Sequence, residues 1–209
     1  MMDNAQFSKT GGGTWTNRVQ VIVNGEPAWL TMPIVRAYHG LRTIREMKIN
    51  QSNEWRTKLL RTIEHNYRRA PYFGVVFPLV QVTLQNPTDE LAEYNRAAIR
   101  QLCAAIELRT PTVLGSTLEI EGRSTDLLIS IVKAVGGTAY LAGDGASGYQ
   151  EDNKFREAGI DLIYQEFQHP TYPQFNTSTF KPGLSIVDAL MNCGVEGMRG
   201  LMEAAVTAT

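Results

Sequence analysis

Apolar and polar positions change period along the chain, and each change marks a new kind of element. Val19-Gln20-Val21-Ile22-Val23 and Ala28-Trp29-Leu30-Thr31-Met32 are β-rich and alternate on either side of Asn24-Gly25-Glu26-Pro27. That arrangement predicts a β-hairpin within residues 1–50. From 53 to 69 the period becomes helical, with Trp55, Leu59, Leu60, Ile63 and Tyr67 on one stripe and Ser52 or Asn53 available as the cap. The same period recurs in Leu91, Tyr94, Ala98, Ile99, Leu102 and Ile106, so residues 51–110 read as a helical segment.

Beyond residue 111 short apolar runs alternate with helices. Residues 112–118 read as a strand, 124–135 as a helix opened by Ser124 or Thr125, 138–142 as a strand, 151–158 as a helix and 161–167 as a strand. Strand, helix, strand, helix, strand implies right-handed crossovers and a parallel sheet. The expected fold is therefore α/β: a Rossmann-like parallel sheet with flanking helices, an N-terminal hairpin and a helical middle segment, all in one domain spanning 1–209. The last clear helix runs from Ser185 through Leu190 and stops at Asn192-Cys193-Gly194, where Gly194 can adopt the left-handed terminating conformation.

Composition narrows the function classes. The chain has 209 residues, 43% hydrophobic and 20% charged, enough to bury a core as one globular domain. A net charge of −1 gives no overall attraction to nucleic acid or to an anionic membrane, so such binding needs a local patch. The helix of residues 53–69 offers one in Arg56, Lys58, Arg61, Arg68 and Arg69, but its aromatics Trp55 and Tyr67 fall on the apolar stripe. A solvated basic face is the favoured reading, and nucleic acid is not an expected partner. Cys103, beside Ile99 and Ile106, and Cys193 read as reduced buried thiols. No run of about 18 apolar residues occurs and the first residues lack signal-peptide character, which predicts a cytoplasmic protein with no membrane span.

Open α/β sheets bind ligands at the carboxyl ends of their strands. Three loops qualify. Gly122-Arg123-Ser124-Thr125-Asp126 offers a guanidinium, two hydroxyls and a helix N-terminus to an anion, and Gly143-Asp144-Gly145-Ala146-Ser147-Gly148-Tyr149 can turn backbone amides toward a phosphate. The third, Tyr164 to Gln174, crowds aromatic, amide and imidazole groups around His169 between Pro170 and Pro173, which restrict the backbone. Plainer readings stand beside these: glycines for turns, Ser124 and Thr125 as caps, Arg123 as a solvated side chain, and His169 as a hydrogen-bonded structural group rather than a general acid or base. His39, His65 and His169 lack metal-site spacing, so no metal is assigned. A thiol nucleophile formed by Cys193 with His169 is a remote alternative. Near the N-terminus Asp3, Gln6, Lys9, Trp15, Asn17 and Arg18 cluster around Gly11-Gly12-Gly13, where a lysine on a loop could close over an anionic ligand.

Several blocks together resemble the WbqC-like protein family. They are Trp15-Thr16-Asn17-Arg18, Trp29-Leu30-Thr31-Met32-Pro33, the run Ile63 to Phe73 with Asn66 and Tyr67, Tyr140 to Gly143, the run Gln165 to Gln174 with Tyr172, and Leu184 to Gly194. The blocks keep their order and cover nearly the whole chain. The resemblance implies a bacterial protein of O-antigen, capsule or related specialised-metabolite pathways, and a transferase, of acyl, aminoacyl or nucleotidyl type, that tailors an activated sugar or related small amine. A non-catalytic nucleotide-sugar-binding or accessory protein is the alternative. The implied partner is a phosphate-containing donor or nucleotide sugar; no cofactor is named. Relative to that family, an additional strand and helix ahead of Asp3-Asn4-Ala5-Gln6-Phe7 is expected to be absent, which would leave an unpaired edge and favour a homo-oligomer. The catalytic candidates are His169, Lys9 and Asp3. The ligand-binding candidates are Asn17, Arg18, Asn66, Tyr67, Arg123, Thr125, Gly143, Gly145, Tyr149, Tyr172 and Gln174.

Overall fold

A computed structural model describes residues 1–7, 15–52, 54–143 and 151–207. The chain is mixed α/β, with helices and, among the described residues, two small sheets, and falls into two compact units. Among the described residues no helix is long and apolar enough to cross a membrane.

The larger unit comprises Asp3–Pro111 and His169–Thr207. Its hairpin pairs β1 (Arg18–Val23) with β2 (Glu26–Thr31) antiparallel, in a register that sets Val23 opposite Glu26 and Arg18 opposite Thr31. The two-residue turn needs positive φ at both positions, and Asn24 (52°) and Gly25 (86°) supply it. Pro27, expected in the turn, lies instead within β2 opposite Ile22. Three helices follow: α1 (Trp55–Tyr67), α2 (Phe73–Leu84) and α3 (Leu91–Ala105). The predicted α1 stripe is buried at Trp55, Ile63 and Tyr67. Its predicted cap is not Ser52, whose backbone N–H donates to Asn50 Oδ1; Glu54 occupies the cap position without a side-chain bond, and Asn53 lies outside the described residues. On α3 the stripe is narrower than expected. Leu91, Tyr94 and Ile106 are buried, whereas Ile99 is 42% exposed and Cys103 half-buried, because positions 99 and 103 sit about 100° round the helix from 98 and 102. Cys193 is likewise half-buried, so the expectation of buried thiols is corrected for both.

Val21, Ile22 and Leu30 of the hairpin pack with Ile63, Tyr67, Val76, Val80, Leu190 and Met191 in the main core. A second cluster gathers Phe7, Met32, Ile34, Met47, Ile49, Trp55, Leu91 and Tyr94. The last helix, α6 (Ile186–Thr207), contains Gly194 at φ 72° and ψ −175°. Gly194 thus ends the first helical stretch, but at a ψ far from the left-handed cap expected there, and a second stretch, not foreseen, continues directly beyond it. A Cβ at Gly194 would lie 2.6 Å from the Tyr72 ring, so close approach as well as φ requires glycine there.

The smaller unit contains Met1–Met2 and Thr112–Gln168. Here α4 (Ser124–Ala134), β3 (Ala139–Ala142), α5 (Asp152–Glu157) and β4 (Asp161–Tyr164) form a βαβ crossover with α4 against it. β3 and β4 are parallel, with Ala139 beside Asp161 and Ala142 beside Tyr164, over a core of Val132, Phe155 and Ile160. The strand expected over 112–118 does not form. Gly115–Thr117 is a single 3₁₀ turn: Leu118 N–H donates to Gly115 O and Thr117 Oγ1 to Leu114 O, while Gly115 N–H donates to Met1 O and Val113 O accepts from the Met1 amino group, so a turn and one N-terminal residue take up backbone groups that a ladder needs. β4 ends three residues early because Glu166 takes φ 47° and breaks the extended backbone. The parallel sheet among the described residues therefore has two strands.

Candidate functional site

A buried charge stands in the larger unit at Asp188, in the first turn of α6, whose neighbours Ile186, Val187, Ala189 and Leu190 are apolar. Its side chain is fully buried. Burying a carboxylate is costly unless its oxygens accept hydrogen bonds, and three donors meet it. Tyr67 Oη donates to Oδ1 at 2.6 Å, while Tyr172 Oη and Gln174 Nε2 donate to Oδ2 at 2.9 and 3.2 Å. Tyr67 Oη also accepts the Ile22 N–H at 2.9 Å, so helix α1, strand β1 and helix α6 meet at one phenol.

One turn beyond Asp188, Asn192 donates from Nδ2 to the Asp188 carbonyl at 2.8 Å and accepts the Phe175 N–H at Oδ1 at 3.0 Å. Gln174 closes its own loop: Nε2 donates to Lys181 O at 3.0 Å and Oε1 accepts the Lys181 N–H at 2.8 Å. The stretch from Tyr172 to Lys181 is thus pinned to α6 by side chains rather than by a backbone ladder. Burial, and then the Asp188 charge, push the pKa of both Tyr67 and Tyr172 well above the usual phenol value, so both remain O–H donors at neutral pH.

His169 immediately precedes this pinned stretch and is exposed. Pro170 after it disfavours helical backbone at the histidine. Burial and the Asp188 charge raise the Cys193 thiol pKa, which lowers the thiolate fraction and weighs against the nucleophilic cysteine considered from sequence.

The other predicted residues have varied surroundings. Asn66 accepts the Asn24 N–H at 2.9 Å and donates to Thr62 O at 2.8 Å, tying α1 to the hairpin turn. Asn17 is buried, its Nδ2 donating to Met32 O at 2.9 Å. The Arg18 guanidinium lies 4.2 Å from the centre of the Trp29 ring. Both Asn17 and Arg18 line an apolar cavity of about 190 Å³ with Trp55, Ile63, Tyr94 and Leu102. Asp3 is buried, and its carbonyl accepts the Arg45 N–H. In the smaller unit Arg123 is exposed, whereas Thr125 is buried with Oγ1 accepting the Glu151 N–H at 3.1 Å. That bond joins the starts of α4 and α5, and neither Ser124 nor Thr125 caps α4; Arg123 holds the cap position without a side-chain bond. A Cβ at Gly143 would meet open space. Lys9, Gly145 and Tyr149 lie outside the described residues.

The structure thus brings Tyr67, Tyr172 and Gln174 onto one carboxylate. Asp188 and Asn192 were not among the predicted site residues. The readable signal was a charge inside an apolar helical run, with an amide four residues on along the same face. Among the described residues no group of three His, Cys, Asp or Glu side chains is placed to hold a metal ion.

Comparison with known proteins matches residues 1–200 to the model of the WbqC-like protein family. The chain is similar to the uncharacterized protein Rv1507c of Mycobacterium tuberculosis, with 25% identity over 197 residues, 93% of this chain and 83% of that protein. No solved structure matches.

Proposed function

Because the chain belongs to the WbqC-like protein family, we propose that it is a transferase that tailors an activated sugar or related small amine in bacterial surface-polysaccharide or specialised-metabolite biosynthesis. The observation that carries this reading is the pinned loop: Tyr172, Gln174 and Phe175 are fixed to Asp188 and Asn192, and the exposed imidazole of His169 stands three residues before Tyr172. Such anchoring gives a general base a defined approach to an acceptor hydroxyl or amine. His169 takes the acceptor proton, and a phosphate-containing donor supplies the transferred group. The apolar cavity beside Arg18 favours an acyl or aminoacyl group over a nucleotidyl one, since its walls suit hydrocarbon. The parallel βαβ unit supports a Rossmann-like reading of the smaller unit, where Gly143 follows the carboxyl end of β3.

A non-catalytic nucleotide-sugar-binding role has one observation in its favour. Asp188 is fully buried and occupied by three donors, so it supports the loop without reaching a substrate. A thermal-shift screen against nucleotides, nucleotide sugars and coenzyme A identifies the donor through stabilisation of the folded state. With that donor, His169→Ala is expected to cut turnover by about 100-fold or more while leaving donor binding intact. Unchanged turnover sinks the base assignment; binding with no turnover by the unaltered protein establishes the accessory role.

A further inference from the structure

We propose that the groove between β2 and α1 binds a phosphate-bearing sugar or nucleotide, with its ring against Trp29 and its phosphate at Lys58 and Arg61. The groove lies within the larger unit and has a volume of about 1020 Å³, room for a nucleotide-sized ligand. One wall is β2, presenting Trp29 and Thr31; the other is α1, presenting Lys58, Arg61 and His65 at spacings of three and four residues, hence on one helix face.

Three features set these cations apart from an ordinary solvated face. Arg56, on the same helix, is committed elsewhere, donating to Asn86 O at 2.8 Å and lying over the Trp55 ring. By contrast, among the described residues no carboxylate pairs with Lys58, Arg61 or His65, although Glu54 lines the same groove. The aromatic partner that the helix itself lacks comes from the hairpin. Trp29 is 36% exposed and is steadied by the Arg18 guanidinium and, edge-on, by Trp15 at 5.5 Å.

Unpaired cations facing an exposed indole recognise a phosphate joined to a planar or sugar ring. A continuous nucleic-acid strand fits less well. The hydrogen bond from Asn24 N–H to Asn66 Oδ1 joins the two walls of the groove, and the net charge of −1 gives no wider attraction. The proposal rests on the transferase reading only for the expectation of an activated sugar; the groove itself is independent of His169.

The test is titration of the whole chain with uridine diphosphate, glucose 1-phosphate, uridine and inorganic phosphate, followed by tryptophan fluorescence and calorimetry. A phosphate ester is expected to bind and quench fluorescence, uridine alone to bind at least about tenfold more weakly, and Lys58→Ala/Arg61→Ala to weaken ester binding by about tenfold or more. Trp29→Leu is expected to weaken binding and abolish the quench. All three positions are exposed, and unchanged circular dichroism confirms that the variants fold. Failure of every phosphate ester to bind, or equal affinity in the double variant, overturns the groove assignment. So does tighter binding of a single-stranded oligonucleotide with steep salt dependence. In the His169→Ala chain ester binding should persist, so loss of turnover there and loss of binding in the groove variants report on separate claims.

Discussion

Tyr67 Oη lies 2.6 Å from Asp188 Oδ1 across a sequence separation of 121 residues, and the same oxygen accepts the Ile22 N–H. One phenol thereby satisfies a buried carboxylate and a buried backbone amide together. The cost of losing a buried hydrogen bond falls mainly on the partner left behind, and here there are two partners.

Tyr67→Phe should therefore destabilise the protein by about 2–4 kcal/mol, from two unsatisfied groups at about 1–2 kcal/mol each. Tyr172→Phe should cost less, because Asp188 Oδ2 retains Gln174 and Tyr172 is only half-buried. Urea unfolding of both variants checks the order. Equal losses would show that the Ile22 bond contributes nothing.

The same network sets an alkaline limit. Tyr67, Tyr172 and Tyr94 all have pKa values raised above the ordinary value of 10.0, mainly by burial, with Tyr94 pushed up to about 12. For groups whose pKa is higher in the folded state, the protonated form is the one that folding favours. Their stabilising contribution is complete below about pH 10 and is lost as pH rises beyond it. Ultraviolet titration should show Tyr67, Tyr172 and Tyr94 ionising late, together with unfolding, and Tyr67→Phe should reduce that late step. Ionisation of all three near pH 10 without unfolding would contradict the assignment.

Local pattern made the hairpin, α1, α3 and the βαβ crossover legible, because each rests on periodicity and turn chemistry carried by adjacent residues. Asn24-Gly25 is the clearest instance: its two positive φ values follow from residue type. The 112–118 segment failed because a β-rich run forms a strand only if a partner ladder meets it, and its hydrogen bonds go to a 3₁₀ turn and to Met1 instead. That Trp29 lines one groove with Lys58 and Arg61 was equally illegible, since the helix supplies the charges and a hairpin residue about 30 positions earlier supplies the ring. His169 and Tyr172 were visible from proline-restricted sequence; the carboxylate that holds Tyr172 was not, because burial is a tertiary property.

Loop anchoring can be tested apart from global stability. Asn192→Ala removes the acceptor of the Phe175 N–H, leaving Asp188 still bonded to Tyr172 and Gln174. Hydrogen exchange at the Phe175 amide should accelerate by about tenfold or more, while core amides in α1 keep their protection. Unchanged exchange at Phe175 would mean that Asn192 does not pin the loop.

Gly194 separates strain from packing. Its φ of 72° disfavours any L side chain, and an added Cβ would stand 2.6 Å from Tyr72 Cδ1 and Cε1. Gly194→Ala should therefore combine a backbone cost of about 1–3 kcal/mol, since φ 72° with ψ −175° is a glycine-only region, with the cost of displacing the ring. Tyr72 is 43% exposed, so its ring has room to move, and Tyr72→Ala removes the obstacle altogether. In the Tyr72→Ala background, Gly194→Ala should still destabilise by about 1–3 kcal/mol, the backbone component alone, and by less than in the parent chain. Urea unfolding of the four proteins in this cycle measures both components. If the alanine cost is the same in both backgrounds, Tyr72 yields freely and φ alone fixes the glycine. If it vanishes without the ring, close packing against Tyr72 is the sole reason that glycine stands here.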